Sequence, residues 1–209
     1  MTQGLTFDSA THTYRHEGEP VPNVTTLIHS FGLIDYSQVP KARLEYKKVL
    51  GMAVDYACDL WDRDNLDETT IDERIRPYFE GYKKFRELSG FEPDLDKSQR
   101  PLYSKKWRFA GTNDLLGTLD GKTVIIDRKC TWVVYVAGGP QTYAYKMLAE
   151  ENYGLKISRR FALKLNPQGN FDPIQDHEFK DPNDEQDFKA CLWLYHQKLN
   201  KYKTLKEIE

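Results

Sequence analysis

Apolar positions along the chain recur with helical spacing in two long segments. The first predicts a helix from Lys41 to about Trp61, with a stripe formed by Leu44, Val49, Val54, Cys58 and Trp61. The second predicts a helix over roughly residues 69–89 that faces the core with Ile71, Ile75, Tyr78, Phe79, Tyr82 and Phe85. A shorter helix over residues 24–31 ends at Gly32, which suits a helix C-terminus.

The remaining segments predict strands between helices. Residues 5–21 predict a short hairpin, and residues 157–165 and 171–179 predict two strands joined by the turn at 166–169. A helix runs from Pro140 to Gly154, and a final helix starts at Asp181-Pro182 and carries Phe188, Cys191, Leu192, Tyr195 and Leu199. We therefore expect one α/β or α+β domain over residues 1–209, with a central mixed sheet flanked by helices.

Two apolar runs meet at a turn in RFAGTNDLLGTLDGKTVIIDRKCTW, residues 108–132. The Asp120-Gly121 pair predicts a two-residue type I′ hairpin, because both central residues of that turn need positive φ. Counting outward from this turn pairs Leu119 with Lys122 and finally places Asp114 opposite Asp127.

The two opposed acids would repel each other. Directly paired β-carbons lie about 5 Å apart, where two unit charges repel by roughly 3 kcal/mol at an effective dielectric of about 20. A divalent cation between the carboxylates reverses this sign, and oxygen ligands suit Mg²⁺ or Mn²⁺. Strand alternation places Lys129 on the face of Asp127 and directs Arg128 away. The alternative is an exposed hairpin with solvated acids and Lys129 as a loose counter-ion.

The spacing of Asp114, Asp127 and Lys129 resembles the PD-(D/E)XK nuclease superfamily, in its RecB-like and phage-exonuclease branch. FAGTND is similar to the aromatic-Ala-Gly-Thr-x-Asp strand of that branch, and TVIIDRKCTW to its Asp-x-Lys strand. QTYAY resembles the Gln-x-x-x-Tyr helix motif and supplies Gln141 and Tyr145. VPNVTTLIHSFGLIDYSQVP and VLGMAVDYACDLW resemble the leading segment and the Gly-x-x-x-His helix, so the resemblance spans about residues 5–200.

This resemblance implies a restriction-endonuclease-like core and a Mg²⁺- or Mn²⁺-dependent deoxyribonuclease. It implies an exonuclease of phage or prophage recombination, with DNA as substrate, a phage single-strand annealing protein as a possible partner and a ring-shaped homo-oligomer as a possible assembly. The implied catalytic residues are Asp114, Asp127, Lys129, Gln141 and Tyr145. The implied metal ligands are Asp114, Asp127, Asp55 and the backbone carbonyl of Arg128.

Two positions depart from the family pattern. Asp55 stands where the helix motif has a metal-binding His, and Gln99 stands where a Glu often precedes the hairpin. Aspartate binds Mg²⁺, whereas a neutral amide is a weaker ligand than a carboxylate. Two alternatives therefore stay open: a nuclease-fold module that binds DNA or protein without turnover, and a metal-dependent hydrolase of another phosphate ester.

Composition adds constraints on partners and compartment. The net charge is −2 and the pI is about 6.2, so any DNA contact must come from local basic segments such as SKKWR (104–108) or KISRR (156–160). The sequence has no apolar run of about 18 residues and no signal-peptide core, which predicts a cytoplasmic protein without membrane contact. Its three scattered cysteines suit reduced thiols and cannot supply a four-cysteine iron–sulfur cluster.

Overall fold

The computed structural model describes residues 3–9, 11–131 and 133–201, with side chains described through residue 198. The helices in this part of the chain are α1 (Val24–Ser30), α2 (Lys41–Asp62), α3 (Arg76–Ser89), α4 (Gly138–Tyr153) and α5 (Asp184–Lys201). The strands are β1 (Leu5–Asp8), β2 (Thr13–His16), β3 (Glu19–Val21), β4 (Glu92–Pro93), β5 (Pro101–Ser104), β6 (Phe109–Thr112), β7 (Leu115–Leu119), β8 (Lys122–Lys129), β9 (Arg159–Asn166) and β10 (Asn170–Phe171).

The central sheet is mixed, as the sequence predicts for an α+β fold. Its five strands follow the order β10-β9-β8-β7-β4. Strands β8 and β9 run parallel, while the other neighbouring pairs run antiparallel. Strands β1–β3 form a separate antiparallel sheet, and β5 pairs with β6. Because parallel neighbours need a crossover, α4 lies between β8 and β9 in the chain.

Helices cover both faces of this sheet, and alternate residues of β8 belong to the two layers. Val124 and Ile126 share a buried cluster with residues of α2 and α3, including Val54, Phe79 and Tyr82. Ile125 belongs to the opposite cluster, with residues of α1, α4 and α5. Since strand side chains alternate, Arg128 continues toward α2 and α3, whereas Asp127 and Lys129 continue toward α4.

The register of the central hairpin is confirmed. Strand β7 pairs with β8 from Leu119 opposite Lys122 to Leu115 opposite Ile126. Asp120 and Gly121 have φ values of 51° and 70°, the two positive values that a type I′ turn requires. A short-range turn signal was therefore sufficient to set the pairing of the whole hairpin.

The predicted start of α3 is wrong. The helix expected from residue 69 begins at Arg76, after a 3₁₀ turn over Glu68–Thr70. Pro77 lies in its first turn, where its missing N–H costs nothing, and a helix extending further upstream would place this proline in its interior. The expected core stripe is otherwise present: Ile71, Tyr78, Phe79, Tyr82 and Phe85 are buried, and Ile75 is partly buried.

The apolar stripe predicted for α2 is only half correct. The helix itself spans Lys41–Asp62, and Val54 and Cys58 are buried. Leu44 and Val49, however, are 37% and 56% exposed. The buried residues of α2 begin at Leu50. The N-terminal half of α2 therefore extends beyond α3 and the central sheet, which bury its C-terminal half.

The C-terminal segments differ most from the prediction. Residues 171–179 form a strand only at Phe171, followed by a 3₁₀ turn over Ile174–His177, because Pro173 has no N–H to give to a ladder. Helix α5 starts at Asp184, beyond Pro182, and the side chain of Leu199 lies outside the described residues. Helix α4 starts at Gly138 and ends at Gly154, which adopts the expected left-handed conformation. None of the described helices is both long and apolar enough to cross a membrane.

Candidate active site

Asp127 and Lys129 lie together near the end of β8, beneath α4. The Asp127 side chain is 4% exposed, and its Oδ2 lies 2.5 Å from the Lys129 Nζ. The two residues are separated by one position, so the alternation of the strand places both on the face toward α4. The Asp127 carboxylate and the Lys129 ammonium therefore form an ion pair in a site that is largely closed to solvent.

Asp114 lies between β6 and β7, outside the ladder. The expected direct pairing of Asp114 with Asp127 is therefore not part of the regular hairpin, which ends one residue pair earlier. The Arg128 main-chain N–H donates to Asp114 Oδ2 at 2.8 Å. A short acidic side chain competes with the backbone for such donors, which explains why the strand stops here. The carboxylate still points to the strand segment that holds Asp127.

Burial and like charge shape the acidity of both carboxyl groups. Burial raises the pKa of Asp127 to about 6, the Lys129 ammonium acts against this rise, and the negative charge of Asp114 adds to it. Burial and then the charge of Asp55 raise the pKa of Asp114 to about 6. Burial disfavours the ammonium of Lys129, yet Asp127 and the other acids raise its pKa overall. The cluster thus holds negative charge at a cost that a bound cation would relieve.

Two residues of α4 complete this polar cluster. Lys129 Nζ donates to Gln141 Oε1 at 3.1 Å, and Gln141 Nε2 lies 3.4 Å from Asp127 Oδ1. The same amide nitrogen lies 3.1 Å from the Tyr145 hydroxyl. Gln141 and Tyr145 are four residues apart and therefore lie on the same face of α4. The structure thus brings Asp127, Lys129, Gln141 and Tyr145 into one continuous network.

Tyr145 serves as a neutral member of this network. The residue is 6% exposed, and burial together with the charges of Asp127 and Asp114 raises its pKa well above the ordinary value. The hydroxyl therefore keeps its proton at neutral pH. It fixes the amide of Gln141, which in turn touches both charged residues of β8.

Asp55, on α2, forms an ion pair with Arg128, and its charge still acts on Asp114 and Lys129. Arg128 Nε donates to Asp55 Oδ1 at 2.8 Å, and the guanidinium lies 5.2 Å from the centre of the Tyr82 ring. The Arg128 side chain is 1% exposed, so it needs a nearby acid. Its Nη1 has no partner among the described residues. The residue expected as a metal ligand is thus the counter-ion of a buried arginine.

Gln99 lies beside the strand that precedes Asp114. Its main-chain N–H donates to the carbonyl of Asn113 at 3.0 Å, and its φ of 54° is unusual for a residue with a side chain. The side-chain nitrogen of Gln99 is buried without a partner among the described residues, as are both polar atoms of Asn113. Asn113 was not among the residues predicted from the sequence to form the site. Its position next to Asp114, between two short strands, is a signal that could have identified it.

A metal ion would find two electrostatically coupled carboxylates here, not a preformed cage. Within residues 3–9, 11–131 and 133–198, no group of three or more His, Cys, Asp or Glu side chains is arranged to hold a metal. Mg²⁺, however, often uses one or two carboxylates and completes its shell with water and substrate phosphate. The donor chemistry of Asp114 and Asp127, with their raised pKa values, therefore fits a hard divalent cation.

Both arginines of the basic segment KISRR are engaged within the protein, whereas Lys156 is exposed. Arg159 forms an ion pair with Glu178, and Arg160 is buried against Asp184 and the Gly139 carbonyl. These arginines stabilise the sheet edge and the start of α4. In SKKWR, Lys105 and Lys106 remain exposed.

Comparison with known proteins adds no family assignment. No protein-family model matches the sequence, and no curated protein is significantly similar to it.

Proposed function

We propose that this protein is a metal-dependent deoxyribonuclease and, more narrowly, an exonuclease of phage or prophage recombination type. The proposal rests on one observation: Asp127, Lys129 and Gln141 contact one another at the end of β8, and Asp114 accepts the main-chain N–H of the intervening Arg128. Paired carboxylates can hold a divalent cation that would neutralise charge on a phosphodiester and make the attacking water more acidic, and a lysine can stabilise the negative charge that develops on the phosphate.

The residues divide this task between them. Asp114 and Asp127, with the Arg128 carbonyl expected from the family resemblance, would hold a Mg²⁺ or Mn²⁺ ion. When bound, that ion supplies charge neutralisation at the scissile phosphate and a more acidic water. Lys129 presents a protonated amine that stabilises negative charge on the phosphate. Gln141 positions this amine, and Tyr145 positions Gln141.

Cleavage of labelled DNA tests the proposal. End-labelled linear duplex and single strand would be incubated with the protein in Mg²⁺, in Mn²⁺ and in EDTA. We expect shortening of the label in either metal and none in EDTA. Asp114→Asn should abolish cleavage, whereas Asp120→Asn should cut like the parent, because Asp120 lies in the exposed turn of the same hairpin. Intact DNA in both metals would refute the nuclease proposal.

A second candidate function is a DNA-binding or interaction module that has lost turnover. The observation that favours it is the ion pair of Asp55 with Arg128, together with an uncharged Gln99 near the site. Such a module would bind DNA equally well with and without metal and leave it uncut. Metal-dependent cutting that disappears in Asp114→Asn would remove this candidate.

A further inference from the structure

Three aromatic rings lie together beside the candidate site. The His29 and Tyr36 rings have centroids 5.0 Å apart, and the Tyr36 and Tyr135 rings meet edge to face at 6.4 Å. His29 lies in the last turn of α1, Tyr36 lies between α1 and α2, and Tyr135 lies between β8 and α4. We refer to His29, Tyr36 and Tyr135 as the aromatic cluster.

The chain connects this cluster directly to the site. Tyr135 follows Lys129 in the connection that leads to Gln141, and its carbonyl accepts the N–H of Gly138 at the start of α4. Lys129 also acts electrostatically on the other two rings. After burial, its positive charge is the main influence that lowers the pKa of His29, and it opposes the rise in the pKa of Tyr36. The rings therefore stand within the field of the proposed catalytic lysine.

The rings remain accessible instead of closing into a core. Tyr135 is 49% exposed, and the next residue, Val136, is 84% exposed. The histidine and the two tyrosines present flat apolar faces with polar edges. Aromatic faces of this kind stack on nucleobases irrespective of sequence, whereas the bases of an intact duplex hide their faces in the stack.

We propose that the aromatic cluster binds the unpaired bases of a DNA strand whose backbone runs past Lys129. The inference rests on the proposed nuclease function and narrows its substrate to single-stranded DNA or a frayed end. Stacking supplies affinity without sequence preference, while the lysine and the two acids deal with the phosphate. Tyr36 and Tyr135 are thereby substrate-binding residues.

Binding in EDTA tests the inference without requiring cleavage. Fluorescence anisotropy would compare a labelled single strand, the same strand with abasic residues, and the matching blunt duplex. We expect the parent to bind the normal strand about tenfold more tightly than the abasic strand, because stacking contributes about 1–3 kcal/mol per base. Tyr36→Leu and Tyr135→Leu should each remove most of that preference. Trp193→Leu, which removes a 60% exposed aromatic on α5, should not.

The outcomes separate this inference from the nuclease proposal. Equal binding of normal and abasic strands by the parent, or unchanged preference in both tyrosine variants, overturns the inference even if Mg²⁺-dependent cleavage is strong. A base preference that the tyrosine variants lose supports the inference even if no strand is cut, in which case only the nuclease proposal fails. Thermal unfolding of each variant confirms that the compared proteins are folded.

Discussion

Replacing Asp114 by Asn should stabilise the metal-free protein at neutral pH. The pKa of Asp114 is raised from 3.8 to about 6, so the folded state holds this proton more tightly than the unfolded chain does. The parent therefore loses stability as pH rises from about 4 to about 6, and the loss remains complete above that range. Asn has nearly the same shape and no charge to lose, and its side-chain oxygen can still accept the Arg128 N–H.

The magnitude follows from the pKa change. A rise of this size corresponds to roughly 3 kcal/mol if fully expressed. Asp114 is only partly buried, so solvent screening reduces the expected gain to about 1–2 kcal/mol. Removing its charge also relieves Asp127, whose own pKa it helps to raise, and this effect acts in the same direction.

Urea unfolding at pH 4 and pH 7 in EDTA measures this gain. The variant should be more stable than the parent at pH 7 and should differ little from it at pH 4. Asp120→Asn is the matched control, since Asp120 is exposed in the turn and Asn also tolerates positive φ there. If the stability gained by Asp114→Asn over the parent is no larger at pH 7 than at pH 4, the ionised Asp114 carboxylate does not destabilise the folded protein and the prediction is wrong.

Further substitutions probe the same region. Lys129→Ala should keep or increase the affinity for Mn²⁺ measured by calorimetry, because the ammonium competes with the metal for the Asp127 carboxylate. The rate of DNA cleavage should fall about 10²- to 10³-fold. Cleavage at the parental rate would exclude the Asp127 and Lys129 face of β8 as the active site. Arg128→Met should lower the free energy of unfolding by about 3–5 kcal/mol, and adding Asp55→Leu should restore much of it; a double variant as unstable as the single one would contradict this. Gly139→Ala should lower the melting temperature, because a β-carbon there would overlap the Asp184 carboxylate at the start of α5; an unchanged melting temperature would contradict this.

Local chemistry made the hairpin predictable. The Asp120-Gly121 turn and the alternation of β8 depend only on neighbouring residues, and together they gave the register and the opposite faces of Asp127 and Arg128. Gln141 was expected in the site only because QTYAY resembles a helix motif of a known family, and the structure places its side-chain oxygen 3.1 Å from the Lys129 Nζ.

Non-local competition explains what could not be predicted. The Asp55–Arg128 pair joins residues 73 positions apart, so no periodicity reveals it. The exposure of Val49 depends on how far α2 extends beyond its neighbours, which the apolar pattern does not encode. Residues 171–179 alternate like a strand, but Pro173 ends the pairing.

The crossover between β8 and β9 has a consequence for how the protein folds. Hairpins of the β7–β8 kind form within about 1–10 μs, whereas parallel pairing must wait until a long connection closes. Asp127 and Lys129 belong to the early hairpin, but Gln141 and Tyr145 reach them only when α4 docks and β9 joins the sheet. The polar cluster is therefore assembled at a late stage of folding. A nascent or partly folded chain would carry the two acids without the groups that orient them, so any activity of this site is confined to the completed fold.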